Sequence, residues 1–140
     1  MSVVLMRGKI GSGKSHRARE LCDGDGMVLL SVDAAMEAVF GTECMGRENH
    51  LRAERGVLDY FLELTVQLSS AGHSVVIDHG FWSKAELKRA TDYFDAHGIA
   101  YTVVETEADF ETRLARVVNR TNGKRFDKEK LLRFDSYYEE

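Results

Sequence analysis

Val3-Val4-Leu5-Met6-Arg7-Gly8-Lys9-Ile10-Gly11-Ser12-Gly13-Lys14-Ser15 decides the fold. Residues 8–15 have the form G-x-x-x-x-G-K-[ST], a phosphate-binding loop. The apolar run before it, Val3 to Met6, reads as a buried parallel strand. From Lys14 to Leu21 there is no Gly or Pro, so a helix can begin where the loop ends. Gly8, Gly11 and Gly13 let the backbone take φ > 0 and bring its N–H groups close to phosphate oxygens. The helix start adds unpaired N–H groups and a positive dipole end. Lys14 can reach the β- and γ-phosphates, and the Ser15 hydroxyl can ligate Mg²⁺. Ile10, Ser12 and His16 complete the stretch that would wrap a nucleotide.

Outward from the loop, strands alternate with helices. After the first helix, Asp23 to Gly26 form a turn cluster, and Met27 to Val32 form a second apolar run ending in Asp33. Residues 34–40 look helical, and Gly41 to Gly46 break the pattern. A long helix is expected from about Arg47 to Ser70, with Leu51, Leu58, Phe61 and Leu62 among its apolar positions and Gly72 closing it. The third strand is Ser74 to Asp78. Ser83-Lys84-Ala85-Glu86 has the form of a capping box, so a helix should start at Ser83 and end near Gly98. Ala100 to Val104 is a fourth strand. Thr106 to Arg120 reads as a helix with Phe110, Leu114, Val117 and Val118 inward, residues 119–126 as a polar basic loop, and Asp127 to Glu140 as a last helix. This alternation implies βαβ crossovers and a parallel sheet covered on both faces.

A chain of 140 residues with 44% hydrophobic and 30% charged residues is expected to form one globular domain, residues 1–140. A formal net charge of -4 argues against broad affinity for nucleic acid or anionic membrane, though not against a local basic cleft. No apolar run is long enough to span a bilayer. The first strand follows Met1 so closely that no signal peptide is expected, and a cytoplasmic location follows. Cys22 and Cys44 have neither metal-ligand nor redox spacing and read as structural thiols of a reducing compartment.

Asp78 ends an apolar strand, on the edge of the sheet where open α/β folds bind ligands; its expected task is to hold Mg²⁺. Asp33 has the same placement on the second strand. It either accepts the proton of a hydroxyl attacking the γ-phosphate or caps the helix that follows. The two aspartates could also exchange roles. Arg113, Arg116 and Arg120 precede Asn122-Gly123-Lys124-Arg125, and Arg116 and Arg120 share one helical face. They either fold over the nucleotide as a lid, neutralising phosphoryl charge, or form a solvated face pairing with Glu107 and Glu111. Arg47, His50, Arg52 and Arg55 either line an acceptor site or form the outer face of the long helix. His79 and Trp82 could share the cleft, whereas His16 and His73 read as surface residues.

Gly-Ser-Gly-Lys-Ser at 11–15, Leu-Ser-Val-Asp at 30–33, Val-Val-Ile-Asp-His-Gly-Phe-Trp-Ser at 75–83 and Arg-x-x-x-Arg at 116–120 occur in that order. Together they resemble the small bacterial AAA-like ATP-binding proteins of the P-loop kinase superfamily, related to chloramphenicol phosphotransferase, zeta toxins and bacteriophage polynucleotide kinase. The resemblance implies a nucleoside-kinase-like P-loop NTPase fold: a three-layer α/β sandwich with a parallel sheet of four or five strands, ordered 2-3-1-4. It further implies phosphorylation of a hydroxyl by Mg²⁺–ATP. Lys14 and Ser15 would serve ATP and Mg²⁺, Asp33 would be the base, Asp78 the Walker B carboxylate, and Arg116 or Arg120 the lid arginine. The acceptor region would span about 34–56 and the lid about 116–127. Two departures stand out: His16 replaces a second Thr or Ser, and Leu87 stands where relatives often carry Arg. The expected activity is phosphoryl transfer to a small-molecule hydroxyl. A polynucleotide 5′-hydroxyl kinase and a non-catalytic ATP-dependent switch remain the alternatives.

Overall fold

A computed structural model describes residues 2–41, 45–121 and 127–140, with Thr121 by its backbone alone. The elements run β1 (Val3–Arg7), α1 (Lys14–Asp25), β2 (Val28–Ser31), α2 (Val32–Phe40), α3 (Arg47–Ser70), β3 (Val75–Asp78), α4 (Lys84–Ala96), β4 (Thr102–Glu105), α5 (Phe110–Thr121) and α6 (Lys128–Asp135). The four strands form one parallel sheet in the order β2-β3-β1-β4, the expected order. Every residue of β1 is buried, as its position inside the sheet requires.

The period of two along each strand sorts side chains between two layers. Val3 and Leu5 of β1, with Val75 and Ile77 of β3, join Leu58 and Leu62 of α3 and Ala90 and Phe94 of α4 in the larger core. Val4, Met6 and Val76 point to the opposite face and meet Ala18 of α1. The sheet is thus covered on both faces. Each large apolar side chain sealed in these layers contributes about 1.5–3 kcal/mol relative to exposure. No helix among the described residues is long and apolar enough to cross a membrane.

Several boundaries differ from expectation, each for a local reason. Helix α1 runs through Gly24 and stops at Gly26, whose left-handed backbone (φ 65°) lets its N–H reach the Cys22 carbonyl. The second strand ends at Ser31, because the Ser31 hydroxyl accepts the Ala34 N–H at 3.2 Å and caps α2. Val32 and Asp33 therefore lie in a helical first turn, and Asp33 is not the cap. Strand β4 is shifted to Thr102–Glu105, in register with Val4–Arg7 of β1. Helix α5 begins at Phe110 rather than Thr106, since the Asp109 carboxylate accepts the Thr112 N–H at 2.7 Å. Val118 is 37% exposed and does not face inward, and Leu51 of α3 is 49% exposed. Asp127 caps α6, which ends at Asp135 rather than Glu140. Cys44 and residues 122–126, including Arg125 and Phe126, lie outside the described residues.

Phe94 is completely buried against β1, β3 and α3. Phe94→Ala should destabilise the fold by about 3–5 kcal/mol, lowering the urea midpoint without changing the slope of the transition.

Candidate active site

The parallel register brings the chemistry to one edge. Met6 lies beside Asp78, and Asp78 beside Ser31, so the turns leaving β1, β3 and β2 emerge level with one another. The turn leaving β1 is residues 8–13. Gly11 (φ 77°) and Gly13 (φ 97°) hold the left-handed backbone that bulky residues avoid. Gly8 is fixed by space instead: a Cβ there would lie 2.6 Å from both the Ser12 Oγ and the Thr106 Oγ1. Those hydroxyls are 2.8 Å apart, and the Thr106 N–H donates to the Arg7 carbonyl at 2.9 Å, so β4 braces the loop. Gly13 then serves as the N-cap of α1 with no side chain capping the helix, which leaves the first-turn N–H groups for an anion.

Ser15 and Asp78 sit together. The Ser15 Oγ donates to the Asp78 Oδ2 at 2.9 Å across the start of α1 and the end of β3. Two hard oxygen donors beside a phosphate cradle are the set that Mg²⁺–ATP requires, so these residues fit that group. Lys14 and Asp33 line the same neighbouring cavity. His16 is exposed on α1 and engages Glu20 at 2.7 Å.

The three arginines of α5 divide. Arg113, 4% exposed, forms a bidentate pair with Asp135 of α6 at 2.7 and 2.9 Å. It also donates to the Ala108 carbonyl at 3.2 Å and to the Ile10 carbonyl at 3.4 Å, so it clamps α6 to α5 and to the phosphate loop. Arg116 donates to the Gly11 carbonyl at 3.0 Å, which holds its guanidinium against the phosphate loop. Arg120 is exposed one turn further on. Pairing with Glu107 or Glu111 is not what holds Arg113 or Arg116.

Beside Lys14 opens a cavity of about 720 Å³. Arg47 and His50 line it; Arg52 and Arg55 do not. Trp82 and Phe134 meet edge to face at 5.9 Å in its wall, and Arg47 lies 4.7 Å over the Tyr137 ring. His79, 8% exposed, bonds Glu86 at 2.9 Å, and Glu54 completes a cluster whose ligand atoms all lie within 4.8 Å. Burial works against the His79 imidazolium, but the hydrogen bond and charge of Glu86, with Glu54 and Asp33, outweigh it and raise its pKa. Burial also opposes the Glu86 carboxylate, and the His79 hydrogen bond and charge, with the charges of Arg89 and Arg55, overcome this, so its pKa falls. Glu54 is shifted upward, chiefly by burial.

Several site residues had no motif to announce them. Glu54 belongs to the stripe Arg47, His50, Leu51, Glu54 on one face of α3, a helical spacing visible in the sequence but read there only for its basic members. Glu86 reads as part of a capping box. Ser83 does accept the Glu86 N–H at 2.9 Å, while the Glu86 carboxylate turns to His79. Phe81 holds a left-handed backbone (φ 47°) with its ring fully buried, a conformation costing on the order of 1–3 kcal/mol in a non-glycine residue. Its carbonyl accepts from the Arg7 Nε at 2.8 Å, and its ring meets His79 at 4.9 Å. No sequence pattern signals Arg7: it is a buried cation at the end of β1, joined to Glu105 at 3.0 Å and stacked 4.3 Å over Tyr138.

A family model described as an AAA domain matches residues 3–140. No match is found among curated proteins. Among solved structures, a candidate kinase of Chloroflexus aurantiacus superposes with a TM-score of 0.79 at 17% identity, covering 98% of this chain and 76% of that one. The Mycobacterium tuberculosis APS kinase, in complex with AMPPNP and APS, gives 0.70 at 18% identity, covering 99% and 82%. A chain of the Pnkp1/Rnl/Hen1 RNA repair complex gives 0.78 at 19% identity, covering 97% of this chain and 43% of its own length. These likenesses establish the fold of a P-loop kinase.

The His79–Glu86 pair should leave a pH signature. With its folded pKa raised, His79 contributes stability in full below the unfolded value of about 6.5, and this is lost as pH rises through the folded pKa. With its folded pKa lowered, Glu86 contributes above about 4.3, and this is lost as pH falls through the depressed value. NMR titration of the His79 ring should give a midpoint above about 6.5, moving downward in Glu86→Gln.

Proposed function

The chain belongs to the AAA-domain family, and from that premise we propose that it is a Mg²⁺–ATP-dependent phosphotransferase acting on the hydroxyl of a small molecule. One observation carries the reading. Lys14 of the phosphate loop and Asp33, a carboxylate suited to be a base, line a single cavity of about 720 Å³, the size of a small-molecule site.

Bound Mg²⁺–ATP would supply the γ-phosphoryl group, which passes to the acceptor oxygen while the bond to the β-phosphate bridging oxygen breaks and ADP leaves. The residues 8–16 would hold its phosphates through backbone N–H groups. Lys14 would spread its charge over the β- and γ-phosphates, and Ser15 and Asp78 would hold the metal. Asp33 would take the acceptor proton as the oxygen–phosphorus bond forms. Arg116, already against the Gly11 carbonyl, would neutralise charge on the transferred group, with Arg120 beside it in a lid over about 116–127. Positioning and charge neutralisation would supply most of the rate. The acceptor would lie against residues 34–56, chiefly Arg47, His50 and Glu54. The free thiol of Cys22 suits a reducing cytoplasm.

A polynucleotide acceptor finds support in the RNA repair neighbour. The carboxylates of Asp33, Glu54 and Glu86 in the cavity would repel a phosphodiester backbone, which favours the small molecule.

Labelled γ-phosphate should move from ATP to a discrete species in a fractionated metabolite extract. Lys14→Ala should lower this turnover by about 10²-fold or more, the scale of losing one preorganised electrostatic donor. Unchanged turnover in the folded variant would refute the assignment. Asp33→Asn should abolish transfer while leaving ATP affinity within a few-fold, measured by calorimetry; parallel loss of both would move Asp33 into the nucleotide shell.

A further inference from the structure

The acceptor cavity has a chemistry of its own. Its lining carries three carboxylates, Asp33, Glu54 and Glu86. Each cation facing them is otherwise engaged or placed. Lys14 belongs to the phosphate loop. Arg47 is stacked over Tyr137 at 4.7 Å. His50 meets Glu54 at 3.3 Å but is half exposed, and His79 is held to Glu86 at 2.9 Å. The buried His79 ring thus sits with two half-buried carboxylates, while Arg89 and Arg55, which do not line the cavity, bear on Glu86 from behind and Arg89 is itself paired with Asp59. The remaining wall is apolar and aromatic, with Phe81, Trp82, Phe134, Leu51 and Met45. Carboxylates behind an aromatic wall attract an organic cation through charge and ring quadrupole together.

We propose that the acceptor is an amine-bearing alcohol, whose ammonium group lies against Glu54 and Glu86 while its hydroxyl is presented to Asp33 and Lys14. This rests on the phosphotransferase reading and narrows it. An ammonium donates up to three hydrogen bonds and finds two carboxylates whose ligand atoms lie within 4.8 Å of each other. The same wall disfavours acids and phosphate esters, which would bring a second anion beside Glu54, Glu86 and Asp33 in addition to the nucleotide. Burial raises the Glu54 pKa, and the charges of Asp33 and Glu86 add to this against those of His79 and His50. An incoming ammonium would favour the Glu54 carboxylate, so binding should release a proton from the protein.

The test uses the full chain with Mg²⁺ and γ-labelled ATP. The acceptors are 2-amino-1-phenylethanol, glucosamine and kanamycin, beside the N-acetyl forms of the first two and gluconate as an acidic alcohol. Binding of each to Asp33→Asn is followed in parallel by NMR shifts at the His79 ring. The expected result is transfer to amines with kcat/KM at least ten-fold above their N-acetyl forms. In Glu54→Gln that ratio should collapse toward unity through KM, with Glu54→Asp retaining part of it. Equal or better transfer to N-acetyl or acidic alcohols overturns the amine proposal and leaves the kinase reading standing. Saturable amine binding at His79 without transfer to any of these alcohols or to the metabolite extract supports the amine site and overturns the kinase reading. Absence of amine binding and transfer overturns the amine proposal, and overturns the kinase reading as well only if the extract also remains unlabelled. A His79 shift produced by zinc alone, with none from the amines, makes the cluster a metal site and also overturns the proposal.

Discussion

A parallel sheet brings distant residues together through register, and here the whole site depends on three level strand ends. Met6, Asp78 and Ser31 lie side by side, so the phosphate loop, the Ser15–Asp78 pair and Asp33 emerge at one edge of the sheet. Side chains on a strand alternate between faces, so a slip of one residue in β1 against β3 would turn both apolar layers inside out. The two cores, Val3 and Leu5 on one side and Val4 and Met6 on the other, therefore enforce the geometry of the chemistry.

Buried arginines secure what the sheet presents. Arg7 ties the end of β1 to the Phe81 carbonyl, Glu105 and the Glu139 carbonyl, linking the loop after β3 and the end of β4 to residues beyond α6. Arg113 does the same for α5 and α6 through Asp135. The Glu139 N–H reaches the Trp82 carbonyl at 2.7 Å, and its carboxylate accepts from the Lys84 N–H at 3.1 Å. Such buried pairs add little net stability against apolar substitutes, but removing one partner strands a charge. Their value here is positional: they bind the segments that carry Phe134 and Tyr137, which line the large cavity, and Phe81, which keeps a left-handed conformation.

The phosphate loop and the four strands were legible because their signals are local, glycine spacing and apolar runs, whereas the strand order followed from the family resemblance and not from any local signal. The long helix was legible to its ends, Arg47–Ser70, because Gly46 and Gly72, both in positive-φ backbone, bracket a long helical pattern. The wall of the large cavity was not. Glu54, Glu86, Phe134 and Tyr137 come from three separate stretches of the chain and meet only through tertiary packing. Arg113 misled in the other direction. Its spacing places it with Arg116 and Arg120 as a basic group, while its true partner, Asp135, lies on another helix. Strand β4 and helix α5 were displaced by a few residues for a similar reason. Thr106 carries β propensity and follows an apolar run, yet it is taken by Arg7 and Ser12.

The place of β1 in the sheet also sets a schedule for synthesis. Its first partner, Val75, is made long after Val3, and β4, its other neighbour, comes later still. At about 5–20 residues per second, a ribosome leaves the strand without a partner for several seconds. During that interval Val3 to Met6 is a bare apolar ribbon with unpaired backbone groups, the kind of segment that joins other chains. The strand that anchors the finished site is thus the one most in need of protection while the protein is being born.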